Sequence, residues 1–201
     1  MTTGNAGGSV VCSRPLDAAL LADYWLAVLL APDEEAVELH LLQCDPCGAR
    51  LREVIALSKS MHRLAREGSL RMIVSDASIQ RAKDEGLRVR QYDVPAGGSV
   101  QCTVTAGDDL LIARLAANLA GAQRVDLSLC DQQGREQLRL PDIPVHPGSD
   151  SVLYQESITF AKAAPDNVMI ARLLAFDESG IERLAGEYTF HHMRTMPGPG
   201  A

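Results

Sequence analysis

Aromatic residues are scarce in this sequence: Phe, Trp and Tyr together make up 4% of its 201 residues. Any core must therefore be built mainly from Leu, Val, Ile and Ala, although the hydrophobic fraction of 46% is ordinary for a globular protein. No apolar run approaches the roughly 18 residues that a membrane-spanning helix requires. The first ten residues lack a basic start and an apolar stretch, so no secretory signal is expected. These absences predict a cytoplasmic protein that does not span a membrane.

Signatures of common enzymes are also missing. The sequence contains no nucleophile elbow, no phosphate-binding glycine loop and no spaced pair of acids in a context that singles it out. We therefore expect no catalytic residues and no enzymatic activity. The five cysteines, an odd number, do not resemble a disulfide framework, and a reducing compartment would leave them free for metal or redox chemistry.

The net charge of −7 argues against broad binding to nucleic acid, but the charge is unevenly distributed. Residues 1–47 carry −6, residues 48–90 carry +5 and residues 91–201 carry −6. The basic middle segment could attract an acidic partner, whereas charged residues on a helix most often form only its solvated face.

One short stretch carries a metal-binding pattern: His40-Leu-Leu-Gln-Cys44-Asp-Pro-Cys47. On a helix, residues four apart project from the same face, so His40 and Cys44 lie one turn from each other. Pro46 and Gly48 suit a tight turn that brings Cys47 to the same point. One imidazole and two thiolates that converge in this way supply three of the four ligands of a zinc site.

The fourth ligand is expected to be Cys12, the only cysteine upstream of the motif. Four protein ligands leave no position for a catalytic water, so the predicted zinc is structural and joins short helices with a modest core. Two alternatives remain open for these residues. The cysteines could be incidental in a buried helix, or their oxidation to a disulfide could release the metal and act as a redox switch.

Apolar residues at helical spacing predict four N-terminal helices. The first follows Ser13, with Pro15 in its first turn, and the second opens at Pro32. The third is predicted over residues 49–67 and the fourth over residues 75–86. Helix one has more apolar surface than a small helical cluster readily covers, which suggests a surface for a partner protein. Packing of that surface against helix three or a second domain is the alternative.

Beyond residue 86 the apolar period changes from 3.6 to 2, which predicts short strands separated by turns. The strands are expected near residues 87–94, 99–105, 110–119, 124–131, 136–140, 151–160, 168–176 and 183–192. Residues 110–119 could instead be helical. The predicted fold is α+β, with a small zinc-bound helical domain followed by an antiparallel β-sandwich or barrel. The expected divisions are a flexible lead-in (1–11), the helical domain (12–86), the β domain (87–195) and a disordered tail (196–201).

Residues 12–67 resemble the zinc-binding anti-sigma factor family, whose mark is an upstream Cys or His followed by HxxxCxxC at a turn between two helices. Here the mark is Cys12, His40, Cys44 and Cys47, accompanied by the Leu-Ala-Asp-Tyr-Trp and Gly-Ala-Arg-Leu runs. The resemblance implies a four-helix domain that grips an extracytoplasmic-function sigma factor and blocks its access to RNA polymerase. It also implies that helix one and the fourth helix meet the sigma factor, through Leu20, Tyr24, Trp25, Val28, Leu29 and Ile79.

The β domain departs from better-known members of that family. It has no membrane helix and no spaced His-x-His and Glu pattern of a cupin metal site. We expect it to sense a signal, to form a homodimer or to brace the helical domain. Two rival functions remain: a nucleic-acid-binding regulator that uses residues 48–90, and a metal-dependent enzyme in the β domain with a metal at His146 or His192.

Overall fold

A computed structural model describes residues 12–146 and 148–195. The chain divides into two compact units, and the division falls between Arg63 and Leu64. The predicted lead-in and tail lie outside the described residues. In the part that is described, no helix combines the length and the apolar character needed to cross a bilayer.

The N-terminal unit contains three helices: α1 (Ala18–Trp25), α2 (Ala31–Gln43) and α3 (Asp45–Arg66), whose last residues belong to the second unit. Helix α1 begins later than predicted, because Asp17 caps it by accepting a hydrogen bond of 2.7 Å from the Leu20 amide. Helix α2 begins as predicted, with Pro32 in its first turn. Helix α3 begins at Asp45, four residues before the predicted start, so Cys47 lies in its first turn.

The second unit is built from nine described strands in two sheets, together with two short helices. The strands are β1 (Met72–Val74), β2 (Val89–Val94), β3 (Ser99–Thr103), β4 (Leu110–Ala116), β5 (Arg124–Cys130), β6 (Glu136–Pro144), β7 (Ser151–Glu156), β8 (Asn167–Phe176) and β9 (Glu182–Met193). The helices are α4 (Asp76–Asp84) and α5 (Ile158–Ala163). One sheet has the strand order β1-β7-β4-β2, and the other has the order β3-β9-β8-β5-β6.

The two sheets pack face to face and enclose the main core. Leu115 from the first sheet and Leu127, Leu173 and Tyr188 from the second are completely buried in it. The predicted α+β class and sandwich are confirmed, and the alternative of a closed barrel is not.

Two neighbouring strand pairs are parallel, which differs from the predicted all-antiparallel arrangement. Strand β2 pairs in parallel with β4, and β3 pairs in parallel with β9. The chain passes from β2 in one sheet to β3 in the other and returns with β4. The chain reverses its direction on entering β3 and again on entering β4. Strands β2 and β4 therefore run in the same direction. Apolar alternation along a strand does not reveal this direction.

Residues 110–116 form strand β4 and not the alternative helix. Its apolar residues are buried on both sides, because the main core covers the face with Ala113 and Leu115, and helix α4 covers the other face. Ile112 packs with Ile79 of α4 on that second face, whereas Leu111 points the opposite way and packs with Ile158 of α5. Such two-sided burial explains why the segment has no clear period of two.

Helix α4 belongs by its packing to the β unit, whereas the sequence placed it in the helical domain. Ser75 caps it as predicted, and Ile79 clusters with Ile112 and Leu153 of the first sheet. The compact units consequently divide near residue 63, and not near residue 86. The predicted strand over residues 151–160 is likewise shorter, because Ser157 ends it by capping α5.

A buried carboxylate fixes the turn between β3 and β4. Asp108 accepts hydrogen bonds from Arg90 Nε at 2.6 Å and from the Thr105 amide at 2.7 Å. Burial alone raises the pKa of Asp108, but these hydrogen bonds lower it, and the net direction is downward. The carboxylate form therefore stabilises the folded unit.

Asp108→Asn is expected to lower the free energy of unfolding by about 2 kcal/mol at pH 7, because a charged hydrogen-bonded pair is broken in a buried turn. The folded-state pKa is depressed, so this stabilisation is complete above about pH 5 and is lost as the pH falls through the folded-state value. Urea unfolding at pH 7 and pH 3 measures both effects. Asp84→Asn, at an exposed carboxylate, is the control and should change stability by less than about 0.5 kcal/mol. An equal loss in the two variants would contradict the role of Asp108.

Candidate metal centre

Four predicted ligands come from three places in the helical unit. Cys12 precedes α1, His40 lies in the last turn of α2, and Cys47 lies in the first turn of α3. Cys44 ends α2 with an extended backbone (φ −133°, ψ 91°), and this break turns the chain directly into α3. The turn brings the sulfur atoms of Cys44 and Cys47 to the imidazole of His40.

The ligand atoms of all four residues lie within 4.8 Å of one another. His40 Nε2 is 3.6 Å from Cys12 Sγ and 3.2 Å from Cys47 Sγ, and the sulfur atoms of Cys12 and Cys47 are 3.9 Å apart. Cys47 is buried, and the other three residues are half-buried. The imidazole therefore points at the sulfurs through Nε2.

These separations fit a single tetrahedral ion. With metal–sulfur and metal–nitrogen bonds of about 2.3 Å and about 2.0 Å, tetrahedral angles place two sulfurs about 3.8 Å apart and a sulfur and a nitrogen about 3.5 Å apart. The distances among Cys12, His40 and Cys47 lie close to these values. The four residues can thus hold a metal ion, and with all four bound no coordination position remains for a substrate.

The other cysteines and histidines of the described residues do not form a second group of this kind. Cys102 and Cys130 are both buried in the β unit. His146 is exposed at the end of β6, whereas His192 is buried on β9.

The residues proposed to meet a partner are in different environments. On and after α1, Trp25 and Val28 have 42% and 64% of their surface exposed, while Leu20, Tyr24 and Leu29 are half-buried. Ile79 is 5% exposed, because it packs in the β unit. In this structure its side chain is not available to a partner.

Other apolar residues of the helical unit are also exposed. They are Leu26, Leu30, Leu39, Leu42, Leu57 and Met61. The sequence could have revealed this surface through its apolar stripes, which are longer than the neighbouring helices can cover.

The basic segment of residues 48–90 does not form one uninterrupted cationic surface. Arg66 pairs with Glu85, Arg71 with Glu156, Arg88 with Asp109 and Arg90 with Asp108. Glu85 lies within the segment and is already counted in its charge of +5, so the other three pairs offset three of the five excess positive charges. Binding to nucleic acid through this segment stays a prediction.

We expect the protein purified under reducing conditions to contain one tetrahedrally bound metal ion per chain. Cys44→Ser removes one ligand and should weaken metal binding at least 100-fold, with loss of helical signal, because few apolar side chains hold these helices together. Elemental analysis and far-ultraviolet circular dichroism measure the two effects.

Cys130→Ala is the matched control, since Cys130 is buried in the β unit far along the chain from the motif. It should keep its metal and its helical signal. Full metal content in the Cys44→Ser variant would contradict the assignment of this ligand.

No protein-family model matches this chain, and no curated protein matches its sequence. Among solved structures, the fibronectin(III)-like modules of Clostridium thermocellum CbhA align with 11% identity and a TM-score of 0.29, over 48% of this chain and 87% of that one. CopC from Methylosinus trichosporium OB3b aligns with 14% identity and a TM-score of 0.29, over the same shares of the two chains. Similarities at this level carry no argument about the fold or the function.

Proposed function

We propose that the protein is a cytoplasmic zinc-binding anti-sigma factor that sequesters an extracytoplasmic-function sigma factor by steric occlusion. The observation that carries the proposal is the convergence of Cys12, His40, Cys44 and Cys47, the ligand pattern by which the chain resembles that family. In this function the protein needs no catalytic residues, because inhibition follows from occupying a surface.

Zinc is the proposed ion because three thiolates and one imidazole suit its ligand preference and its tetrahedral geometry. A closed site of this kind is structural. The helical unit needs such support, because Leu21, Val37 and Cys47 are its only buried apolar residues among those described up to residue 63. Metal binding would then contribute folding free energy directly.

The proposed contact with the sigma factor lies on and beside α1. Trp25, Leu26, Val28 and Leu30 expose between 42% and 74% of their surfaces within six residues. A concentration of exposed apolar side chains is typical of a protein interface, and aromatic anchors such as Trp25 often dominate its binding energy. This surface supports binding of another protein more directly than it supports binding of nucleic acid.

The β unit is proposed to regulate this interaction, as a sensor, a dimerisation module or a support for the helical unit. Oxidation of two cysteine ligands by a peroxide is a further proposed route of release, because the two thiolates give two electrons to the peroxide, form a disulfide and leave the metal. The sulfur atoms of Cys12 and Cys47 are close enough, at 3.9 Å, to react after a small movement.

The proposal predicts that the protein inhibits run-off transcription by RNA polymerase carrying its sigma factor, with complete inhibition near one chain per sigma. The sigma factors to test are those encoded in the same genome, each purified separately. Val28→Asp should weaken binding to the sigma factor at least tenfold, because it places a charge in an apolar interface. The Val28→Asp variant should fold as the unaltered protein does, because the Val28 side chain is exposed.

Ile181→Asp is the matched control, because Ile181 has 66% of its surface exposed but lies in the β unit. This variant should inhibit as well as the unaltered protein. Failure to bind any of the sigma factors, together with a salt-dependent shift of DNA alone, would favour the nucleic-acid alternative and overturn the proposal.

A further inference from the structure

A partly enclosed cavity of about 60 Å³ lies between the two sheets of the β unit, beside α5. Its walls are mostly apolar, with Leu111 and Ala113 on one side and Met169 and Phe190 on the other. The small side chains of Ala161 and Ala164 leave the space open from α5. A cavity of this size exceeds what one water needs but is smaller than the roughly 150 Å³ that encloses a benzene ring, so an organic molecule bound here must extend into the opening.

One polar atom in the wall of this cavity lacks a partner. His192 is 8% exposed, and its Nε2 is the buried side-chain nitrogen or oxygen that forms no hydrogen bond within the described residues. Burial of such an atom without a partner is unfavourable, and native proteins seldom leave one unsatisfied. A ligand that enters the cavity would complete the hydrogen bonding of His192.

The charged and polar neighbours in the cavity are already satisfied. Glu156 accepts hydrogen bonds from Arg71 Nε at 2.6 Å, from the Tyr154 hydroxyl at 2.8 Å and from the Ser157 amide at 2.8 Å. The Tyr92 hydroxyl donates to the carbonyl oxygen of Thr103 and accepts from its amide. No charge in the wall is therefore left to balance a charged ligand.

Cys102 lies directly across from His192 in the parallel pairing of β3 and β9. Burial raises the pKa of the Cys102 thiol to about 11, so at neutral pH it carries no charge and is a poor nucleophile. The cavity is thus a mostly apolar site, and His192 Nε2 is the one buried side-chain nitrogen or oxygen of the described residues that lacks a hydrogen bond. The cavity is not arranged for covalent chemistry.

The opening of the cavity is formed partly by Phe160 of α5. This side chain is 54% exposed, and the Arg71 guanidinium lies 4.5 Å from the centre of its ring. The Arg71 guanidinium therefore contacts both the Phe160 ring at the opening and the Glu156 carboxylate in the wall. An exposed aromatic ring beside an apolar cavity offers additional contact area to a ligand that projects outward.

We propose that this cavity binds a small uncharged organic molecule whose hydrocarbon part fills the space between the sheets and whose single polar group forms a hydrogen bond with His192 Nε2. The polar group is a hydroxyl or a carbonyl, according to which ring nitrogen of His192 carries the proton. The site lies wholly within the β unit, so its test does not depend on the proposed binding of a sigma factor.

The experiment is an NMR titration of the full-length, metal-loaded protein with three probes that share one ring: phenol, toluene and benzoate. Phenol should cause saturable shifts in the resonances of the cavity residues. Toluene should bind about tenfold more weakly, because it lacks the hydrogen bond to His192. Benzoate should not bind measurably. Absence of saturable shifts with phenol and toluene would show that the cavity holds only water and would overturn the proposal, as would benzoate binding as tightly as phenol.

His192→Leu should weaken phenol binding about tenfold and leave toluene binding unchanged. His191→Leu is the matched control, because the neighbouring residue on β9 faces the other side of the strand, and phenol should bind to it as to the unaltered protein. Equal phenol affinity in both variants would overturn the role of His192.

Ala164→Leu gives a second test that does not alter the histidine. The larger side chain should fill the space beside α5 and abolish the binding of both phenol and toluene. Unchanged binding in this variant would place the probes elsewhere and overturn the proposed site. If His192→Leu does not fold, this variant and the comparison of the three probes on the unaltered protein still decide the question.

Discussion

The convergence of three thiols and one imidazole is the constraint on which the helical unit depends. Its three helices bury few apolar side chains, and the ligands come from before α1, from the end of α2 and from the start of α3. An ion at this point would tie all three segments together where an apolar core of this size cannot. The extended conformation of Cys44 is essential to the geometry, because it turns α2 into α3 without an intervening loop.

The two units deal with apolar surface in opposite ways. The β unit buries many of its leucines between two sheets and beneath α4 and α5, and side chains such as Leu127 and Leu173 are inaccessible. The helical unit leaves a large fraction of its apolar side chains uncovered. The proposed partner surface and the proposed ligand cavity consequently lie in different units and rest on different physical grounds: exposed apolar area in one case, and an unsatisfied buried nitrogen in the other.

The cluster of candidate metal ligands was predictable because its residues follow local rules. His40, Cys44 and Cys47 are fixed by helical spacing and a turn, and Cys12 followed from the need for a fourth ligand. The strand positions were also predictable from alternation, but their pairing was not, since the same alternation serves parallel and antiparallel strands. The placement of Ile79 was missed for a related reason. One apolar face on a short helix fits a partner surface and a sheet equally well, and only tertiary packing decides between them.

The pairing of β3 with β9 has a consequence for the order in which the protein forms. These strands are about 90 residues apart in sequence, so the second sheet cannot close until β9 has left the ribosome. Contacts of such long range make folding slow. All four candidate ligands lie within residues 12–47 and emerge early in synthesis. The helical unit can therefore bring these four residues together, and expose its apolar face, while the β unit is still incomplete.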